Sequence, residues 1–137
     1  MVFLAKLSLL YRVPKTLFFL MTSWILLKCL SWKKIHLWLN SKTNEECPDK
    51  VYHKIHRMAL DISKLCRIIS FLDNCLNKSL CLWLMSGDHR IFLKIIFGAK
   101  NNEGHFQSHS WVVLKDQVIL GEHNDSYIPF TEDLKSI

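Results

Sequence analysis

Backbone punctuation is scarce in this sequence, with 4 glycines and 3 prolines in 137 residues. That scarcity excludes a glycine- or proline-rich disordered chain, and with half the residues hydrophobic one compact domain over 1–137 is expected. Acidic residues are missing altogether from residues 1–44, which hold seven Lys or Arg, whereas residues 101–137 hold six acidic and two basic residues. The formal net charge of +6 is therefore a property of the front of the chain. Such a front suits nucleic acid, an anionic membrane or an acidic peptide, and charge alone does not choose among them. No aromatic–basic strand platform or recognition-helix motif accompanies it, so nucleic acid is not an expected partner.

Long apolar runs are also missing. The longest, Thr16 to Leu27, is closed by Lys15 and Lys28 well short of the ~20 residues a spanning helix needs. Trp24, Trp32 and Trp38 lie among Lys28, Lys33 and Lys34, so residues 15–39 suit peripheral contact with a membrane surface. The competing reading is a core helix whose lysines reach outward along their apolar stems. The five cysteines (Cys29, Cys47, Cys66, Cys75, Cys81) are odd in number and form no C-x-x-C pair. No cleavage point with small residues follows the apolar front, and free thiols in a reducing cytoplasm are expected. Cys47, His53, His56 and Cys66 fall on or near one helical stretch but not at zinc-ligand spacing, so no metal or cofactor is expected.

What is present is a change of period. Residues 3–12 and about 15–39 read as helices separated by Pro14, and 40–46 as a linker. Together 1–44 form a basic, apolar helical lead-in to a core over 45–137. Val51, Ile55, Met58, Ala59, Ile62, Leu65, Cys66 and Ile69 recur at helical spacing, with Pro48 suited to the first turn of that helix. After a break at 70–74, Leu76, Leu80, Trp83 and Leu84 mark one side of a further helix, capped by Asp73 or Asn74 and closed by Gly87. Residues 90–97 then read as a buried strand ending at Gly98, with 99–106 a polar loop. Strands 108–114 and 117–120 follow around a tight turn at Lys115-Asp116, then a polar tail with Tyr127, Ile128 and Phe130 as anchors. Helices first and an antiparallel sheet second predict an α+β domain, with one helix packed on that sheet.

Cys75 falls in the first turn of that helix. Helix N-termini favour thiolates through free N–H groups and the positive end of the dipole, and the same N–H groups can hold an oxyanion. His109 sits early in an apolar strand, where packing would favour Val or Ile. A strand-borne imidazole facing a helix-borne thiol is the Cys–His hydrolase arrangement. A two-residue turn at 115–116 pairs 114 with 117 and sets Glu122 opposite His109, as the acid that holds its tautomer. A bulge would shift this register, bring Gly121 opposite His109 instead and leave Asn124 or Asp125 as candidates from the loop.

Around these residues the sequence resembles a family. Asn74-Cys75-Leu76-Asn77-Lys78-Ser79-Leu80 is similar to the Cys-Leu-x-Arg-(Ser/Ala)-Leu signature of lasso-peptide B-proteins, the transglutaminase-like leader peptidases that include the microcin-processing enzyme. Ile95-Ile96-Phe97-Gly98-Ala99-Lys100 is similar to their strand ending in Gly-Val-Arg. Phe106-Gln107-Ser108-His109-Ser110-Trp111-Val112 resembles their Phe-x-(Ala/Ser)-His-(Ala/Ser)-Trp-Val block. The resemblance, over roughly residues 50–130 and in its stand-alone peptidase form, implies a transglutaminase- or papain-like fold and a Cys–His–Asp triad. It implies a cytoplasmic, bacterial thiol protease that frees a ribosomally made precursor from its leader. A leader-recognition protein and an ATP-dependent macrolactam-forming cyclase are the implied partners, besides the precursor itself.

The sequence departs from the family in three places: Val113 stands where Glu is frequent, Asp116 replaces the hairpin glycine, and Leu120-Gly121-Glu122 occupies the segment that carries the Asp. Cys75 and His109 carry over, and the acid does not. Two other readings follow: a catalytically impaired relative that binds a precursor or partner, and a basic membrane-surface protein.

Overall fold

A computed structural model describes residues 2–31, 34–35, 46–121 and 128–129. It is an α+β domain, as the change of period requires. Helix α1 spans Val2–Cys29, α2 spans Asp49–Ile68 and α3 spans Cys75–Ser86. Strands β1 (Lys94–Asn102), β2 (His105–Leu114), β3 (Gln117–Leu120) and the two-residue β4 (Ile128–Pro129) form one antiparallel sheet in the order β3-β2-β1-β4.

The front departs from expectation. Pro14 does not separate two helices; α1 runs through it and ends at Cys29, ahead of the predicted 39. Proline removes one ladder hydrogen bond, that to the carbonyl of Leu10. Leu10 and Pro14 are both exposed, so water can serve the freed carbonyl. On the other side Thr16, Leu20 and Ser23 are buried at helical spacing. That packing against α3 outweighs the break. The predicted end of this helix, at 36–39, and most of the 40–46 linker lie outside the described residues.

Helix α2 follows its pattern closely. Ile55, Ala59, Ile62 and Cys66 make its buried stripe, and Pro48 stands one place earlier than predicted, at the N-cap. Helix α3 is less one-sided than Leu76, Leu80, Trp83 and Leu84 suggested. Its buried set is Asn77, Ser79, Leu80, Cys81, Leu82, Met85 and Ser86, because α3 packs on α1, α2 and β2. A helix walled on three sides loses the simple amphipathic stripe.

Beyond α3 the chain turns back. Residues Gly87–Phe92 form a 3-10 segment, so the predicted strand at 90–97 starts at Lys94 instead. The cause is Arg90. Its Nε donates to the Trp83 carbonyl at 2.9 Å, its Nη2 to the Leu84 carbonyl at 3.4 Å, and the guanidinium lies 4.2 Å over the Trp83 ring. Arg90 thereby satisfies helix-end carbonyls that an extended chain would leave open. The predicted polar loop at 99–106 is a hairpin end: β1 and β2 pair without interruption from Lys94–Val113 to Asn102–His105, around Glu103-Gly104 at positive φ.

The Lys115-Asp116 turn is as predicted. Both residues take positive φ (50° and 60°), the primed geometry of two-residue hairpins. The Lys115 ammonium binds the Asp49 carboxylate, and this pair pulls the Asp49 carboxyl below its usual range.

Candidate active site

The site begins at the N-terminus of α3. Asn74 takes extended backbone, and its Oδ1 accepts from the amides of Leu76 (2.9 Å) and Asn77 (3.4 Å). It is the N-cap; Asp73 instead pairs with Lys78 at 2.9 Å. Cys75 is the first helical residue and half-buried. Because the cap occupies two first-turn amides, the Cys75 amide is the donor that no hydrogen bond engages among the described residues. Of the first-turn amides expected to be open to an oxyanion, the cap takes up those of Leu76 and Asn77.

Five cysteines now sort by environment. Cys47, Cys66 and Cys81 are buried. Burial pushes all three thiols up, that of Cys66 from 9.0 to about 11. Cys29 is exposed, yet it stands at the C-terminal end of α1 and not at a helix start. Cys75 alone combines access with a helix N-terminus. Brief alkylation of the native protein at pH 8 is expected to modify Cys29 and Cys75 and to spare the other three, by peptide mass mapping. Labelling of Cys66 or Cys81 at the rate of Cys29 would contradict this packing.

His109 lies on β2, half-buried, with Gly98 of β1 opposite it. The H-x-W spacing sets His109 and Trp111 on one strand face, and their rings stack with centroids 5.9 Å apart. Ser110, between them, turns to the opposite face. Its hydroxyl lies 3.2 Å from that of Ser79, which in turn donates to the Cys75 carbonyl at 2.9 Å. The structure thus joins the Cys75 helix to the His109 strand through a buried serine pair. The two elements meet at the first turn of α3 through Ser110 and not through His109, which stands on the other face of the strand. The expected imidazole facing the thiol across this contact is therefore not what joins them.

It does not extend this to the acid. Leu114 pairs with Gln117 and Val113 with Val118, as the two-residue turn demands, but Val112 pairs with Leu120. The extra residue lies on β3, so the register that set Glu122 opposite His109 lapses after Val113. The bulge considered from sequence, which would have brought Gly121 opposite, shifts the other way. Glu122, Asn124 and Asp125 lie outside the described residues.

Gly121 is tightly held. At φ +87°, an added Cβ would stand 3.0 Å from the Ser110 carbonyl oxygen and 3.1 Å from the Trp111 Cβ. Backbone cannot yield there, so Gly121→Ala is expected to cost about 2 kcal/mol or more in chemical denaturation. An unchanged midpoint would mean that this strand end does not press on β2. A cleft of about 320 Å³ runs alongside, lined by Ser63, Arg67, Asp73, Lys78 and residues 118–121. It flanks the first turn of α3.

Sequence reasoning missed Asn77, Ser79, Ser110 and Ser23, the polar residues that thread this junction. The signal was there in part, as small polar residues at 23, 79 and 110 inside otherwise apolar segments. Among the described residues no group of three His, Cys, Asp or Glu side chains could hold a metal ion.

A family model for the transglutaminase-like superfamily matches residues 19–132. The chain belongs to the transglutaminase-like superfamily. The match starts inside α1 and runs through α2, α3 and the sheet, so it includes both Cys75 and His109. The superfamily generally includes cysteine peptidases and transferases, which fits a thiol at a helix N-terminus beside an antiparallel sheet. No curated protein and no solved structure matches the chain. Among the described residues no helix is long and apolar enough to cross a membrane.

Proposed function

We propose that this transglutaminase-like protein is a cysteine peptidase that removes the leader from a ribosomally made precursor during lasso-peptide maturation. The observation that carries the reading is Cys75, the one cysteine of five that is both accessible and at a helix N-terminus. The three sequence blocks around Cys75, Gly98 and His109 supply the finer assignment.

In this mechanism His109 takes the Cys75 thiol proton as the sulfur attacks the scissile carbonyl. The Cys75 amide stabilises the oxyanion. Collapse returns the proton to the leaving amine and forms a thioester, which water hydrolyses with His109 again as base. Substrate lies across the rim where α3 meets β2, and the stacked Trp111 ring limits the tilt of the imidazole. Glu122 is the proposed acid that holds the imidazole tautomer. The precursor, a leader-recognition protein and an ATP-dependent macrolactam-forming cyclase are the proposed partners, acting in a bacterial cytoplasm.

Incubation of the full chain with its neighbouring precursor and leader-recognition protein tests the reading, with products identified by mass. Wild type is expected to cleave once, at the leader boundary. A specific observation favours a second reading: Leu120-Gly121-Glu122 lacks the Asp the family carries there. A wild-type protein that binds the precursor without cleaving it would establish that binding module instead.

A further inference from the structure

A second site lies at the other end of α3. Arg12, Lys15 and Thr16 of α1 face Lys54, Arg57 and Asp61 of α2 across a cavity of about 190 Å³. Met58 and Met85 give it an apolar wall. Each set recurs at three- and four-residue spacing, so each occupies one helix face. Four cations meet there, and Asp61 offsets one of them. Its Oδ2 lies 3.3 Å from the Arg12 Nε, a buried atom without an aligned hydrogen bond to any described residue.

Thr16 is the telling residue. It is 1% exposed, and its Oγ1 has no hydrogen-bond partner among the described residues. Threonines inside helices ordinarily bond back to the carbonyl four residues earlier, as Thr22 of the same helix does to Phe18 at 2.8 Å. Thr16 forgoes that bond while lining a cationic cavity. A buried hydroxyl is rarely left unmatched unless something else accepts from it.

We propose that the cleft between α1 and α2 is an oxyanion-binding site, which seats a phosphate or carboxylate group among Arg12, Lys15, Lys54 and Arg57 with the Thr16 hydroxyl donating to it. Guanidinium and ammonium groups around one hydroxyl match the several acceptor oxygens of such a group. The apolar wall of Met58 and Met85 suits a ligand whose anionic head is joined to a less polar body. The site is separate from Cys75, since the ten residues from Cys75 to Met85 span about 15 Å of helix.

The test is isothermal titration of the full chain at fixed ionic strength with inorganic phosphate, pyrophosphate and succinate as probes. Saturable one-to-one binding of at least one probe is expected. Lys54→Gln with Arg57→Gln, both exposed, should weaken it about tenfold or more, and Cys75→Ala should leave it unchanged. Binding of the phosphates alone identifies a phosphoryl ligand, and binding of succinate as well identifies the general oxyanion. Thr16→Val should weaken binding while raising the melting temperature of the unliganded protein, because it removes an unmatched hydroxyl. No saturable binding of any probe, or binding indifferent to the Lys54/Arg57 pair, overturns the site.

Discussion

Cys75→Ala is expected to abolish precursor cleavage, lowering turnover on the order of 10⁴-fold or more, while the protein remains folded. The size follows from the chemistry. Without the sulfur there is no thioester, and the residual rate comes from binding and the oxyanion donor alone. The mildness toward the fold follows from position: Cys75 is half-buried at the start of α3, and its cap bonds run through Asn74 rather than the thiol. Truncation there should shift the unfolding free energy by less than about 1 kcal/mol. Cys29→Ala, at an exposed helix C-terminus, is the control that should keep full activity. His109→Ala should match Cys75→Ala if the imidazole is the base. Glu122→Gln then decides the third position: a large loss keeps the carboxylate in the site, and unchanged turnover passes the role to Asn124, Asp125 or a dyad. Cleavage that survives Cys75→Ala would remove the thiol from the mechanism.

How much of this was legible in the sequence differs by element, and the reasons are local. Helix α2 was legible because it has one neighbour-facing side, so its apolar residues keep a 3.6-residue period. The Asn74 cap and the Lys115-Asp116 turn were legible because each is decided within a few residues by side-chain hydrogen bonding or positive φ. Pro14 misled because the break depends on what lies across the helix: burial of Thr16, Leu20 and Ser23 against α3 is invisible in the residues beside Pro14. Ile91 and Phe92 misled in the same way, since alternation with Leu93 and Ile95 looks like a strand unless Arg90 is known to reach back to the end of α3. The place of Cys75 at a helix start and of His109 on a strand was legible from residue type and context. The acid was not, because one extra residue on β3 changes every pairing beyond Val113 and no local signal announces it.

Asn77→Asp, a change of one atom, is expected to cost about 3 kcal/mol at pH 7, among the largest stability losses available in this protein. Asn77 is 1% exposed in the first turn of the helix that carries Cys75. Its Oδ1 accepts from the Ser23 hydroxyl of α1, and its Nδ2 donates to the Leu72 carbonyl at 3.1 Å, so one amide ties α3 to α1 and to the turn before its own cap. Aspartate keeps the shape and the acceptor but sets a carboxylate oxygen against the Leu72 carbonyl oxygen, in a place where water does not reach. The buried charge raises the folded-state pKa of the new carboxyl above its unfolded value of about 3.9. The unfolded chain then releases its proton first, so the loss grows as pH rises from about 4 through the folded-state pKa and then levels off. At pH 4 the protonated carboxyl can donate to Leu72 as the amide did, and most of the stability should return. Asn77→Ala separates charge from packing: it should lose about 2 kcal/mol with no such pH dependence, because Ser23 keeps the Leu20 carbonyl and Leu72 keeps the Asn74 amide. Denaturant titrations of the two variants at pH 4 and pH 7 read the difference directly. Equal losses at both pH values for Asn77→Asp would mean that water reaches the junction, and that Asn77 does not tie the nucleophile helix to α1 in the way described.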